Sequence, residues 1–456
     1  MSDSRHLLDV AMEEADSGAY DSALAKLSEI VLSEPDSSEI HILALSYMGE
    51  AYREKGLYEQ SRKALEKAER LGIEYGFKIA TAKAIRLLGN TLLDMGLMAQ
   101  GEERYQRALT IFEEAGDLLG VARCLNNLGV VRADRGDLPS ALELYERSLK
   151  IHTELNDSFG VGACLNNIGE IHRLRGDYTQ AEELYRRSLQ GDRKRGDKYG
   201  QAICWGNLGA VALARKDFKR AEARTQRAVD ILDELDTRDL AYVEMRGLMV
   251  GLMSATGRFD QAHVHLDEIW SAAQALNSDN ADMICEFYSG VLAQRQWNLS
   301  FARTHFNNCL ELAKRGSTFE YVLFSLIQLV ELELHHYRLT LEDAYLKAMK
   351  EDLDQALELA QQYKLYGALV ELLILQGLFN VENQELARGF DDLVAAKKLC
   401  EEKGFVARKM SVDQQIDKIR ARMDSPQEHA PETVEQKMRR FQDYIEDCER
   451  IVLASR

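Results

Sequence analysis

The six residues CLNNLG, Cys124–Gly129, return as CLNNIG, Cys164–Gly169, one letter changed and forty residues later. Working outward from that phrase, Gly49, Gly89, Gly129, Gly169 and Gly209 stand at the same spacing, each preceded by Met, Leu or Ile. Seven residues after each comes a second track, Gly56, Gly96, Gly136, Gly176 and then Lys216. A third track of small residues follows at Ser61, Gly101, Ala141, Ala181 and Ala221. Three tracks in step over five units define an internal repeat.

Each unit reads as a helical hairpin. Val121, Leu125 and Leu128 carry helical spacing, Arg135-Gly136-Asp137 a tight turn, and Ala141, Leu144, Tyr145, Ser148 and Leu149 a second amphipathic run. A glycine inside a helix costs about 1 kcal/mol against alanine, so a glycine kept in register predicts close approach of the paired helix, with the small residue at Ala141 and its equivalents opposite. One hairpin leaves apolar faces wet, so the units must stack. The register drifts on through Gly257 with Ala262 and Trp297 with Ala302, through a hairpin at 318–362 enlarged by Leu341 to Lys350, and through a degenerate one at 365–403. The reading is an all-α solenoid of about ten stacked hairpins over 1–404, regular over 39–277 and degenerate over 278–404.

Composition agrees. Only 4 prolines, 46% hydrophobic and 29% charged residues describe a helix-rich chain with material to bury. The net charge of −18, 57 basic against 75 acidic residues, works against nucleic acid or an anionic membrane as a partner. No signal-peptide pattern and no apolar run of membrane-spanning length stand out, so the expected compartment is the cytoplasm. The 7 cysteines include no CxxC pair, which predicts free thiols. Cys124, Cys164 and Cys204 read as small buried hydrophobes. No metal-ligand spacing, phosphate loop or nucleophile motif appears: GVGAC at Gly160–Cys164 has no strand before it, and the histidines, His335-His336 and His263/His265 among them, read as surface or helix-end residues. No catalytic residue, metal or cofactor is expected; the irregular stretch 318–362 alone leaves an enzyme as a third option.

Asn126-Asn127, Asn166-Asn167 and Asn207 occupy first helices, where amides are poor helix residues. Two readings stand. One of each pair bonds the neighbouring unit and stabilises the stack, or the outward one, with Asn126 and Asn166 the better candidates, faces a groove and grips a peptide backbone. The basic cluster Arg186-Arg187 and Arg193-Lys194-Arg195-Lys198 reads as a solvated face, with an acidic partner as the alternative.

The pattern Leu125, Leu128-Gly129, Gly136, Ala141, Tyr145, Ser148, recurring five times in phase, resembles the tetratricopeptide repeat family. The forty-residue period is longer than the family's usual one and is similar to the long repeats of kinesin light chains, Pins-type adaptors and Rap-type bacterial peptide sensors. The resemblance covers residues 1–404. It implies a right-handed superhelical solenoid whose first helices line a concave groove for a protein or peptide partner, and hence a non-enzymatic interaction scaffold acting through residues 40–215. The alternative it offers is a ligand-responsive regulator whose superhelix changes shape on binding a small peptide. The groove positions it implies are Arg53, Lys83, Arg86, Asn90, Arg123, Asn127, Asp134, Asn167, Glu170 and Arg173. Arg86, Asn90 and Asn127 resemble the first half of the carboxylate clamp of chaperone-binding members, but Ala163 and Asn167 stand where its second half has Lys and Arg. An internal segment is therefore the expected ligand, with arginines selecting acidic side chains.

Beyond the array, Val412, Ile416, Ile419 and Met423 mark a capping helix over 405–424, and DSPQEHAP, Asp424–Pro431, a linker over 425–431. Val434, Met438, Phe441, Ile445, Cys448 and Val452 then make a heptad stripe in an amphipathic C-terminal helix over 432–456. It could pack back on the last hairpin, form a homodimer seam through 434–452, or lie in the groove as a tethered competitor.

Overall fold

A computed structural model describes residues 2–16 and 18–424. The C-terminal stripe and its linker lie outside the described residues. Those described form twenty-one α-helices and no strand. The first five hairpins are α1 (Ser2–Asp16) with α2 (Tyr20–Ser33), α3 (Glu39–Glu54) with α4 (Tyr58–Tyr75), α5 (Lys78–Asp94) with α6 (Met98–Ala115), α7 (Leu118–Asp134) with α8 (Leu138–Glu154), and α9 (Ser158–Arg175) with α10 (Tyr178–Arg195). The next five are α11 (Lys198–Ala214) with α12 (Phe218–Glu234), α13 (Leu240–Ala255) with α14 (Phe259–Leu276), α15 (Asp279–Arg295) with α16 (Leu299–Gly316), α17 (Phe319–Thr340) with α18 (Asp343–Gln362), and α19 (Tyr366–Glu382) with α20 (Leu386–Lys403). A last helix, α21 (Val406–Asp424), follows.

The three small-residue tracks have separate physical causes. The helical glycines admit the partner helix: a Cβ on Gly129 would lie 2.5 Å from Tyr145 Cε1, and one on Gly89 2.6 Å from Tyr105 Cε1. The ring of the paired helix occupies the missing side chain's place. The third track meets the same backbone from the other side, since a Cβ on Gly101 would lie 3.1 Å from the Gly89 carbonyl oxygen. The turn track is conformational. Gly56, Gly96, Gly136 and Gly176 have φ between 73° and 85°, and Lys216, Trp297 and Leu341 hold the left-handed region without a glycine, at about 1–2 kcal/mol each. Aspartates start several helices; Asp137 and Asp217 each accept from the backbone N–H three residues on, at 3.2 and 3.1 Å. The enlarged hairpin spends its extra residues on long helices, 22 in α17 and 20 in α18.

The cysteines fall where expected: Cys124, Cys164 and Cys204 are buried and free, as are Cys285, Cys309 and Cys400. The histidines correct the surface reading in part. His41 and His152 are buried, His41 Nε2 lying 3.0 Å from Asp36 and His152 Nδ1 2.9 Å from Asp157.

The superhelix closes on itself. Turns within the first five hairpins meet turns between the later ones: Gly18 faces Leu235, Gly56 faces Leu276, Gly96 faces Asp279, Gly136 faces Tyr363 and Gly176 faces Phe405. Asn280 Nδ2 donates to the Leu93 carbonyl (3.0 Å) and Ser278 Oγ to that of Asp94 (2.5 Å). The Tyr178 and Phe405 rings sit 5.6 Å apart. One apolar cluster joins Leu138, Tyr145 and Ile168 to Phe319, Leu323, Met349 and Leu365. The later hairpins thus lie as a second superhelical turn on the first, and the concave face becomes a channel with two walls.

Candidate functional site

The odd-numbered helices α3 to α11 carry the thirteen candidate residues, and the structure sorts them into three groups. The amides form a ladder between hairpins. Asn127 Nδ2 donates to Asn90 Oδ1 (2.8 Å), which also accepts from the Tyr105 hydroxyl (2.9 Å). Asn167 Nδ2 donates to Asn126 Oδ1 (3.0 Å), and Asn166 meets the Cys204 thiol at 3.4 Å. All six amides, Asn207 included, remain half-buried. This is the geometry of the stack-stabilising reading, and Asn126 takes part in it as an acceptor. The neighbouring thiol is inert: burial pushes Cys204 up to about 12.

The second group is cationic. Lys83 Nζ lies 3.5 Å from the centre of the Tyr47 ring. Arg86 is only 7% exposed. It makes no ion pair or hydrogen bond among the described residues, and burial lowers its pKa, with Glu50 near on one side and Arg123 on the other. Arg123 is half-buried one hairpin on.

The third group is acidic and cross-braced. Arg53 Nη1 donates to Asp94 (2.8 Å) and pairs with Glu54. Arg173 Nε bonds both oxygens of Glu170 at 2.9 Å, and its Nη2 reaches Glu320 at the start of α17 (2.7 Å). The Tyr185 hydroxyl donates to Glu170 at 2.8 Å. Burial works against the charge on Glu170, but Arg173 and Tyr185 hold its pKa low. Asp134 has no such cation; burial, then Glu320, pushes it up to about 7. Glu244 of α13, walled in yet open to the channel, is pushed up to about 8 by burial and then by Glu320, Asp239, Glu170 and Asp134. Tyr199 donates to Asp239 at 2.6 Å.

Sequence reasoning missed the opposite wall, Asp239, Glu244 and Glu320. A forty-residue period names neighbours one hairpin away, whereas Arg173 and Glu320 are 147 positions apart. Half of the basic cluster near residue 190 is paired: Arg195 bonds Asp192 and the Ser158 carbonyl, Arg186 bonds Glu182, and Lys198 bonds Glu234, while Arg187, Arg193 and Lys194 are exposed. Among the described residues no group of three or more His, Cys, Asp or Glu is placed to hold a metal, and no helix is long and apolar enough to cross a membrane.

The chain is similar over 92% of its length, at 14% identity, to a crystal structure of Rap protein complexed with competence and sporulation factor, of which it covers 99%, with a TM-score of 0.45. It is similar to BtubC (BKLC) from P. vanneervenii at 22% identity, over 49% of this chain and 91% of that one, TM-score 0.37. It is also similar to yeast Tom70 at 10% identity, over 92% and 96%, TM-score 0.41. No curated protein matches the sequence. The tetratricopeptide repeat family matches residues 80–154 and 161–234, which are the hairpins from α5 to α12. The hairpins from α5 to α12 are thus tetratricopeptide repeats.

Proposed function

We propose that this protein is a non-enzymatic interaction scaffold that holds a peptide segment of a partner protein along the inner face of α3, α5, α7, α9 and α11. Arg86 carries the reading. A buried guanidinium cannot discharge at physiological pH, and one whose nitrogens bond no carboxylate is held at an expense of several kcal/mol, which Glu50 nearby offsets only in part. Such a residue persists where a ligand completes it. An acidic side chain of the bound segment supplies the missing carboxylate, Arg123 reinforces the field, and the Asn90–Asn127 amides offer further donors. Farther along, Asp134 and Glu244 face the same channel without a cation and suit a basic residue of the same segment. The remaining candidates, Arg53, Lys83, Asn126, Asn166, Asn167, Glu170, Arg173 and Asn207, fix the groove's shape and flank it.

The test is a peptide array probed with the full chain, followed by titration of its best binders against Arg86→Met. The array should favour segments containing Asp or Glu. The variant should lose about 10- to 100-fold in affinity, the value of a charge-assisted bond, while its melting temperature holds or rises because an unpaired buried charge is gone. Binders without acidic residues, or unchanged affinity in the variant, would sink the assignment of Arg86.

One observation favours the sensor reading as well: Arg173 bridges Glu170 and Glu320 across the two superhelical turns. A ligand that competes for Arg173 would loosen that brace and change the pitch, which small-angle scattering with and without the best peptide would detect as a change in radius of gyration.

A further inference from the structure

Within the molecule, turns inside the first five hairpins are covered by turns between the later hairpins. The opposite turns are left outward at the two ends of the superhelix. The lower end carries the turns between the first hairpins, and the upper end the turns inside the later ones. We propose that copies of this chain stack head to tail, the lower end of one molecule closing on the upper end of the next in the manner of the internal seam.

Equivalent positions carry the argument. The residue before each left-handed turn position is Leu276 and Tyr363 at the seam, where they pack against Gly56 and Gly136. At the lower end the same position is held by Tyr75 and Leu155, both exposed. Beside them Leu118 is 54% and Phe159 60% exposed, although Phe319, which shares Leu118's place as first residue of its helix, is buried in the seam. At the upper end Phe301 is 55% exposed, with Trp297 and Leu339 also exposed. At the first residue of the second helix the contrast holds in part: Tyr58, Met98, Leu138 and Tyr178 are buried under the second superhelical turn and Phe218 and Phe259 are half-buried, whereas Tyr20 on the seam side is half-buried and Leu299 at the upper end is buried. Both ends therefore present exposed apolar side chains at positions with which this fold joins its own turns.

Both ends carry exposed charges of both signs, Glu113, Glu114 and Glu154 with Arg193 and Lys194 at the lower end, and Lys216, Lys219 and Arg220 with Asp260 and Glu342 at the upper. The likeness to the internal seam, not net charge, therefore selects the second copy and the pairing of unlike ends. A contact between unlike ends is heterologous, so addition continues rather than stopping at a dimer.

The test is sedimentation velocity on the full chain across a concentration series, with Phe159→Glu and Phe301→Glu. Both substitutions fall on exposed rings, and circular dichroism melts check the fold; Leu118→Glu and Leu339→Glu replace any that misfolds. The wild type should grow beyond a dimer with concentration, and each variant alone should stay monomeric. An equal mixture should give a dimer and nothing larger, because one intact lower end and one intact upper end remain between them. A wild type that is monomeric to its solubility limit overturns the proposal. So does assembly untouched by either variant, which places the contact elsewhere, for instance in residues 434–452. A variant pair in which only Phe159→Glu blocks assembly and mixing restores nothing shows like-to-like pairing and overturns it too.

Discussion

Single glycines show how closely the hairpins are fitted, because chemically identical substitutions should have opposite signs. A Cβ at Gly129 would stand 2.5 Å from Cε1 and 2.7 Å from Cδ1 of Tyr145, a ring that is itself buried and cannot retreat. Gly129→Ala should destabilise by about 1–3 kcal/mol, as overpacking does. At Gly251, also inside a helix, the nearest atom to a new Cβ is Tyr288 Cε1 at 3.4 Å, an ordinary contact. Gly251→Ala should gain up to about 1 kcal/mol from helix propensity. Chemical denaturation of the two variants decides it, and equal signs would mean that ring packing does not set the cost. The glycine tracks were legible in the sequence because register exposes them. The role of the amides was not, since an amide two or three residues before a helical glycine can point at a neighbour or at a ligand with the same spacing; that Asn126 accepts from Asn167 is visible only in the structure.

Between elements, the inner helices of opposite walls share a field. Asp134 on α7 and Glu244 on α13 are pushed up to about 7 and about 8, first by burial and then by facing carboxylates, while Arg173 on α9 and Glu320 on α17 compose the nearest ion pair. A carboxyl whose folded pKa is raised binds its proton more tightly in the native state. Its contribution is therefore full below the unfolded value, near 4, and is lost as pH rises through 7 to 8. The melting temperature should fall as pH climbs from about 5 to about 8.5, and Asp134→Asn with Glu244→Gln should flatten that slope. A slope unchanged in the double variant would assign the alkaline loss to the overall negative charge instead. None of this was readable from the repeat, because period and propensity specify what happens within a hairpin and to its neighbour. The pitch that brings α17 over α9 is the sum of small rotations between hairpins, and no short motif records it.

For the whole molecule, the seam converts that accumulated rotation into a fixed shape, and two turn glycines can separate the seam from mere backbone strain. Gly176 and Gly257 occupy the same left-handed turn position, at φ 85° and 71°. Any side chain at either should cost about 1–2 kcal/mol in local conformation. Around Gly257 nothing lies within 4 Å of a new Cβ, whereas at Gly176 the Phe405 ring is 2.5 Å away, pressed there by Tyr178 and flanked by a cavity of 580 Å³ that Val406, Met410 and Arg215 also line. Gly257→Ala should therefore lower stability without changing the scattering profile. Gly176→Ala should lower it further and enlarge the radius of gyration where Phe405 yields by lifting the start of α21 off the first superhelical turn rather than by turning into that cavity. The comparison also bears on the channel, whose second wall exists only while the seam is shut: peptide affinity should drop in Gly176→Ala and hold in Gly257→Ala. If both variants scatter like the wild type, the shape is set within each hairpin stack alone, and the two-walled channel is not what a ligand meets.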